Sequence, residues 1–177
     1  MISDKIAHTF TIGGRLTLAY PDACVELKYT NAFELMIASI LAAQNTDKNV
    51  NLVTANLFRK YRTAEDYTNV SSEQLEKDIH STGFFRQKAK SIQAICRRFI
   101  DDHGGKMPET MDELLKLPGV GRKTANVVLG NAFGLATGIA VATHVPRPAG
   151  SLGQQFLRQT CGRDYYCSRS CEIISAA

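Results

Sequence analysis

Residues 117–128 read LPGVGRKTANVV: a proline and two glycines set between two apolar helical patterns, with an Arg-Lys pair directly behind them. This stretch constrains the fold more than any other, because it dictates a tight turn between two helices. Pro118 presets φ for the first central position of a turn, and Gly119 can take the positive φ that follows. Gly121 is read as a point where one backbone approaches another closely. The next helix then begins with its first N–H groups and the positive end of its dipole at the turn, which suits one phosphate of a nucleic-acid backbone whatever the base. A P-loop is excluded, since it needs Gly directly before its Lys and Arg122 stands there. The dinucleotide fingerprint is excluded as well, for want of a preceding strand and a third glycine. On the residues alone, Lys123 is either a solvated cation in the first turn of a helix or a positioned amine behind a phosphate-holding loop.

Helical signals run along the rest of the chain. Asn31, with Glu34 three residues on, opens AFELMIASILAAQ; residues 48–61 repeat apolar groups at helical spacing; Ser71 with Gln74 opens SEQLEKDIHS, and Gly83 closes it. Residues 85–103 form a basic amphipathic helix, Thr110 with Glu113 starts MDELLKL, and residues 122–133 make the next helix with Gly134 at C′. No stretch alternates with period two between turn signals, so the fold class is all-α, built of short helices and short loops. From Pro146 onward the periodicity fades and lysine disappears.

The chain of 177 residues is 44% hydrophobic and 21% charged, an ordinary globular balance. No apolar run is long enough to span a bilayer and MISDKIAHTF lacks a signal-peptide core, so no membrane partner and a cytoplasmic location are expected, nucleoid-associated in a bacterium. The net charge of +4 is modest, but its distribution is not even. Between Leu114 and Arg163 there is no Asp or Glu, while Lys116, Arg122, Lys123, Arg147, Arg158 and Arg163 all fall inside. A second basic group is Arg86, Lys88, Lys90, Arg97 and Arg98. Each could be a solvated helix face or a polyanion-binding surface. Of the five cysteines, Cys24 and Cys96 lie in apolar patterns and read as small core residues.

The pattern hPGhGxxTA at 117–125 reads as a helix-hairpin-helix. Together with ILAAQNTDKNVN (40–51) and STGFFRQKAKSI (81–92), which are similar to a Ser/Ala-Gln-x-Thr-Asp segment and a Gly-x-x-x-x-Lys-Ala wedge loop, it makes residues 1 to 145 resemble the endonuclease III branch of the helix-hairpin-helix DNA glycosylases. The resemblance implies two helical lobes around a DNA-binding cleft: residues 22–133 as a central domain with the hairpin at about 112–133, and residues 1–21 plus 134–177 as a second, incomplete lobe. It implies a monomer acting on double-stranded DNA with damaged bases or abasic sites, by base excision of oxidised pyrimidines and β-elimination through a Schiff base. Lys123 matches the family's nucleophile; a desolvating cleft favours its neutral, nucleophilic form. Gln44 matches the residue that fills the space of the extruded nucleotide, and Phe84, or else its neighbour Phe85, lies where the family places an apolar wedge. Gly119, Val120, Gly121 and Arg122 match the phosphate-holding hairpin, and Thr143 and His144 a Val-Asp-Thr-His segment.

In that segment the aspartate position is Ala142. A methyl group can neither take a proton nor stabilise an oxocarbenium-like sugar, so base removal is expected to be impaired, and a non-catalytic DNA-binding protein or inactive variant is the alternative. Cys161, Cys167 and Cys171 are spaced x5 and x3, against the family's Cys-x6-Cys-x2-Cys-x5-Cys. With no fourth thiolate nearby, a [4Fe–4S] cluster, a zinc site or any other metal or cofactor is not expected.

Overall fold

The computed structural model describes residues 2–135 and 137–138, with side chains from Thr11 onward. Within them the chain forms helices α1 (Ile2–Ala19), α2 (Ala32–Leu41), α3 (Asp47–Lys60), α4 (Ala64–Asn69), α5 (Ser72–Asp78), α6 (Phe85–His103), α7 (Met111–Lys116) and α8 (Arg122–Ala132), with a 3₁₀ turn at His80–Thr82. No strand occurs among the described residues, as the all-α reading requires.

Short polar side chains start most of these helices. The Asn31 side chain accepts the Glu34 N–H at 2.9 Å, and the Glu34 carboxylate accepts the Thr30 N–H at 2.6 Å, which satisfies donors at the start of α2. Ser71 and Thr110 cap α5 and α7 in the same way. At α4, Thr63 and Asp66 form a complete capping box on a helix of only six residues.

α2 is apolar on nearly every side, with Leu35 to Ala38, Ile40 and Leu41 buried, and so it is the centre of the fold. It packs against α3, α6 and α8. α6 contributes Ala89, Ile92, Ile95, Cys96 and Phe99 at helical spacing and packs also on α4 and α5. Phe33 stacks on Phe99 with ring centroids 5.4 Å apart and meets Tyr67 edge-on at 5.8 Å. Gln93 is 6% exposed, yet every polar atom of its side chain is engaged. Its Nε2 donates to the Tyr67 and Val70 carbonyls at 3.3 and 2.9 Å, and its Oε1 accepts from the Ser72 hydroxyl at 2.8 Å.

Several expectations from the sequence are revised. α2 ends at Leu41, not at Gln44, and α5 ends at Asp78, well short of Gly83. α1 and α4 carried no separate signal in the pattern. Cys96 is buried as expected, but Cys24 is exposed, because the segment 20–26 lies on the surface between α1 and α2. In the basic group on α6, Arg86, Lys90, Arg97 and Arg98 are exposed, whereas Lys88 is 6% exposed and points inward.

Candidate nucleic-acid interface

The turn between α7 and α8 closes on a hydrogen bond from the Val120 N–H to the Leu117 carbonyl at 3.2 Å, with Gly119 at φ +81°. The left-handed φ favours glycine, and a Cβ there would also stand 3.3 Å from the Ser91 hydroxyl of α6. The hairpin is therefore seated on α6. Arg98 adds a second tie from α6, donating to the Lys116 carbonyl at 3.2 Å. Val120 is 6% exposed and its N–H serves the turn itself.

Gly121 departs from expectation. Its φ is −90°, which any residue can adopt, and a Cβ built on it would meet nothing within 4 Å. Among the described residues no close backbone approach requires glycine here. Gly121 is the N-cap of α8, no side chain caps that helix, and Gly121 and Arg122 are both exposed. What the glycine preserves is open space in front of a helix N-terminus.

Lys123, in the first turn of α8, is half-buried and lines a cleft of about 330 Å³. Cys24 to Leu27 form one wall, Ser39, Ala42, Ala43, Asn45 and Asp47 another, and Lys123, Thr124 and Val127 the third. Asn51 pins the first wall to α3: its Oδ1 accepts the Lys28 N–H at 2.8 Å and its Nδ2 donates to the Glu26 carbonyl at 2.9 Å. Two polar atoms near the cleft, Ser39 Oγ and Asn45 Nδ2, are buried without a hydrogen-bond partner. The Asn45 amide orientation is fixed, because its Oδ1 accepts the Thr46 N–H at 2.9 Å.

Gln44 lies in the turn after α2, between the cleft residues Ala43 and Asn45, and is exposed. Phe84 caps α6 and is 68% exposed. These two are the non-glycine residues at positive φ among the described residues, +54° at Gln44 and +47° at Phe84. Phe85 is different: it packs against the core, its ring 4.5 Å from that of His80. Of the two candidates for an apolar wedge, Phe84 is the one that projects.

Residues 37–174 match the HhH-GPD superfamily of base excision DNA repair proteins. The chain belongs to this superfamily. It is 53% identical over 134 residues to endonuclease III of Bacillus subtilis (strain 168), which covers 76% of this chain and 61% of that protein. It is 43% identical over 133 residues to endonuclease III of Escherichia coli (strain K12), covering 75% and 63%. The chain thus spans less than two thirds of the length of these curated relatives. Among solved structures it is similar to a non-covalent endonuclease III–DNA complex, with TM-score 0.78 and 50% identity over 81% of this chain and 67% of that one. A trapped endonuclease III–DNA covalent intermediate also gives TM-score 0.78, at 46% identity, covering 85% and 76%.

The remaining site expectations, Ala142, Thr143, His144, Cys161, Cys167 and Cys171, lie outside the described residues. Among the described residues no group of three or more His, Cys, Asp or Glu side chains is placed to hold a metal ion, and no helix is long and apolar enough to cross a membrane.

Proposed function

We propose that this chain binds duplex DNA at damaged or abasic sites and presents Lys123 to an extruded nucleotide, acting as a DNA glycosylase and abasic-site lyase. The observation that carries this reading is the convergence of the Lys123 cleft, the exposed Gln44 turn bordering it, and the uncapped, unobstructed N-terminus of α8. Gly119, Gly121 and Arg122 hold a phosphate beside the cleft, Gln44 fills the gap in the duplex, and Phe84 wedges the opposite strand. Residues 22–133 form the central domain, and residues 1–21 with 134–177 belong to a second lobe that includes Thr143 and His144.

The chemistry follows from the amine. Lys123 Nζ attacks the sugar C1′, the base leaves, and the imine that forms acidifies the neighbouring sugar proton, so elimination breaks the strand on the 3′ side. With Ala142 where a carboxylate would stabilise the developing positive charge, base departure is the slow step, whereas an abasic sugar bypasses it. Borohydride trapping on an abasic duplex tests the amine. The chain forms a covalent adduct, Lys123→Ala forms none, and Ala142→Asp raises excision of a thymine-glycol base by about 10²-fold or more. An adduct that persists in Lys123→Ala sinks the assignment.

A further inference from the structure

Lys88 is a cation built into the interior of the protein. Among the described residues its ammonium meets no carboxylate; instead Nζ donates to the Leu41 carbonyl at 2.9 Å and to the Thr82 carbonyl at 2.8 Å. A buried charge without a counter-charge is costly, so its retention calls for an explanation beyond packing. The two carbonyls supply one by their positions. Leu41 ends α2, and the turn after it carries Gln44; Thr82 ends the 3₁₀ turn, and Phe84 follows two residues on. A second bridge runs alongside. Asn49 Nδ2 donates to the Ser81 carbonyl at 2.9 Å and to Asn45 Oδ1 at 3.2 Å, so it too joins the turn beyond α2 to the turn before α6.

We propose that Lys88 is a positioning residue that locks the Gln44 turn to the Phe84 turn, so that both side chains enter a duplex as one rigid tool. The two tips are the two left-handed non-glycine residues described above, and each hangs from a carbonyl that Lys88 holds. Left-handed backbone at a bulky residue persists only where its surroundings over-determine it, and a two-pronged ammonium does so for both turns at once. The proposal rests on the reading that Gln44 and Phe84 contact DNA, and it adds that they do so cooperatively.

A double-mutant cycle on binding to a duplex carrying a tetrahydrofuran abasic analogue, read by fluorescence anisotropy, tests it. In the native chain Gln44→Ala and Phe84→Ala each weaken binding about tenfold, and the pair together barely more, because either truncation disables the shared tool. In the Lys88→Gln background the two losses multiply instead, and Lys88→Arg, which keeps donors and charge, restores the native coupling. Losses that already multiply in the native chain, or coupling that survives intact in Lys88→Gln, overturn the proposal. If Lys88→Gln does not melt cooperatively, Asn49→Ala cuts the second bridge at a more accessible side chain; it must lower the coupling, and unchanged coupling there overturns the proposal. Single variants that bind like the native chain refute the underlying DNA-contact reading and so are told apart from a failure of coupling.

Discussion

At Gln44 and Phe84 the backbone holds φ of +54° and +47°, a region that side chains with a Cβ enter at a cost of about 1–2 kcal/mol. Neither position repays that cost by packing, since both side chains are exposed. Glycine adopts the same backbone freely, although it adds chain entropy to the unfolded state. Gln44→Gly and Phe84→Gly are therefore expected to stabilise the fold by about 0.5–1 kcal/mol in urea unfolding while weakening binding to an abasic duplex. Stability and function move in opposite directions at these two residues. A Gly variant that lowers stability would mean that the exposed side chain contributes to the fold after all. The sequence indicated which residue types stood at 44 and 84, but the left-handed backbone beneath them was not legible, because a positive φ leaves a trace where glycine adopts it, as at Gly83, and neither of these positions holds a glycine. Gly121 shows the reverse: a glycine in the pattern suggested a backbone constraint, and the fold imposes none.

Among the elements, α6 carries most of the organisation. Its exposed arginines and Lys90 face outward, its apolar residues enter the core, and Gln93 fastens it to the loop between α4 and α5. Gln93→Leu keeps the volume roughly constant but removes the donor to Tyr67 and Val70 and the acceptor for Ser72. Orphaning these groups is expected to cost about 2 kcal/mol, read as a lower urea midpoint at unchanged slope. A loss below about 0.5 kcal/mol would place the groups in contact with water. α6 also shows what could be foreseen. Its limits and its amphipathic face follow from local periodicity, and the starts of α2, α5 and α7 follow from capping pairs within three residues of one another. The Gly-x-x-x-x-Lys-Ala loop marks the position of Lys88, but its burial could not be foreseen, because a lysine between Arg86 and Lys90 reads by charge as one more surface cation. Its burial depends on carbonyls 47 and 6 residues away in the chain. Cys24 was misread for the same reason, since an apolar neighbourhood in sequence does not fix which side of a surface segment faces in. α4 escaped notice because six residues are too few for periodicity, and only its capping box, Thr63 with Asp66, leaves a trace.

For the molecule as a whole, the ionisable groups held by the fold set the range of pH in which it stays folded. On the acid side, burial pushes the Asp78 carboxyl up, but bonds from Lys60, Tyr61 and Gln74 outweigh it and hold it below its ordinary 3.8. The Thr63 and Arg62 N–H groups do the same for Asp66. A depressed carboxyl contributes stability above its unfolded value, and these two contributions are lost as pH falls below 3.8 through the folded values. On the alkaline side Cys96 is the described group whose shift matters first. Burial pushes its thiol up from 9.0 to about 12, with Glu65 adding to the shift. Above pH 9.0 the unfolded chain releases a proton there that the folded chain retains, so stability falls by about 1.4 kcal/mol per pH unit on this account. Lys88 works in the opposite sense, because burial lowers its amine below 10.5 and the unfolded chain holds the extra proton. The two are separated by a single variant. Cys96→Ala loses the thiol and leaves a small cavity, so it is less stable at neutral pH, but the difference from the native chain shrinks by about 1.4 kcal/mol for each pH unit above 9.0. Urea unfolding at pH 7, 9 and 10 under reducing conditions measures that difference. If it stays constant from pH 7 to 10, the Cys96 thiol ionises as readily in the folded chain as in the unfolded one, and the alkaline limb belongs to the buried tyrosines instead.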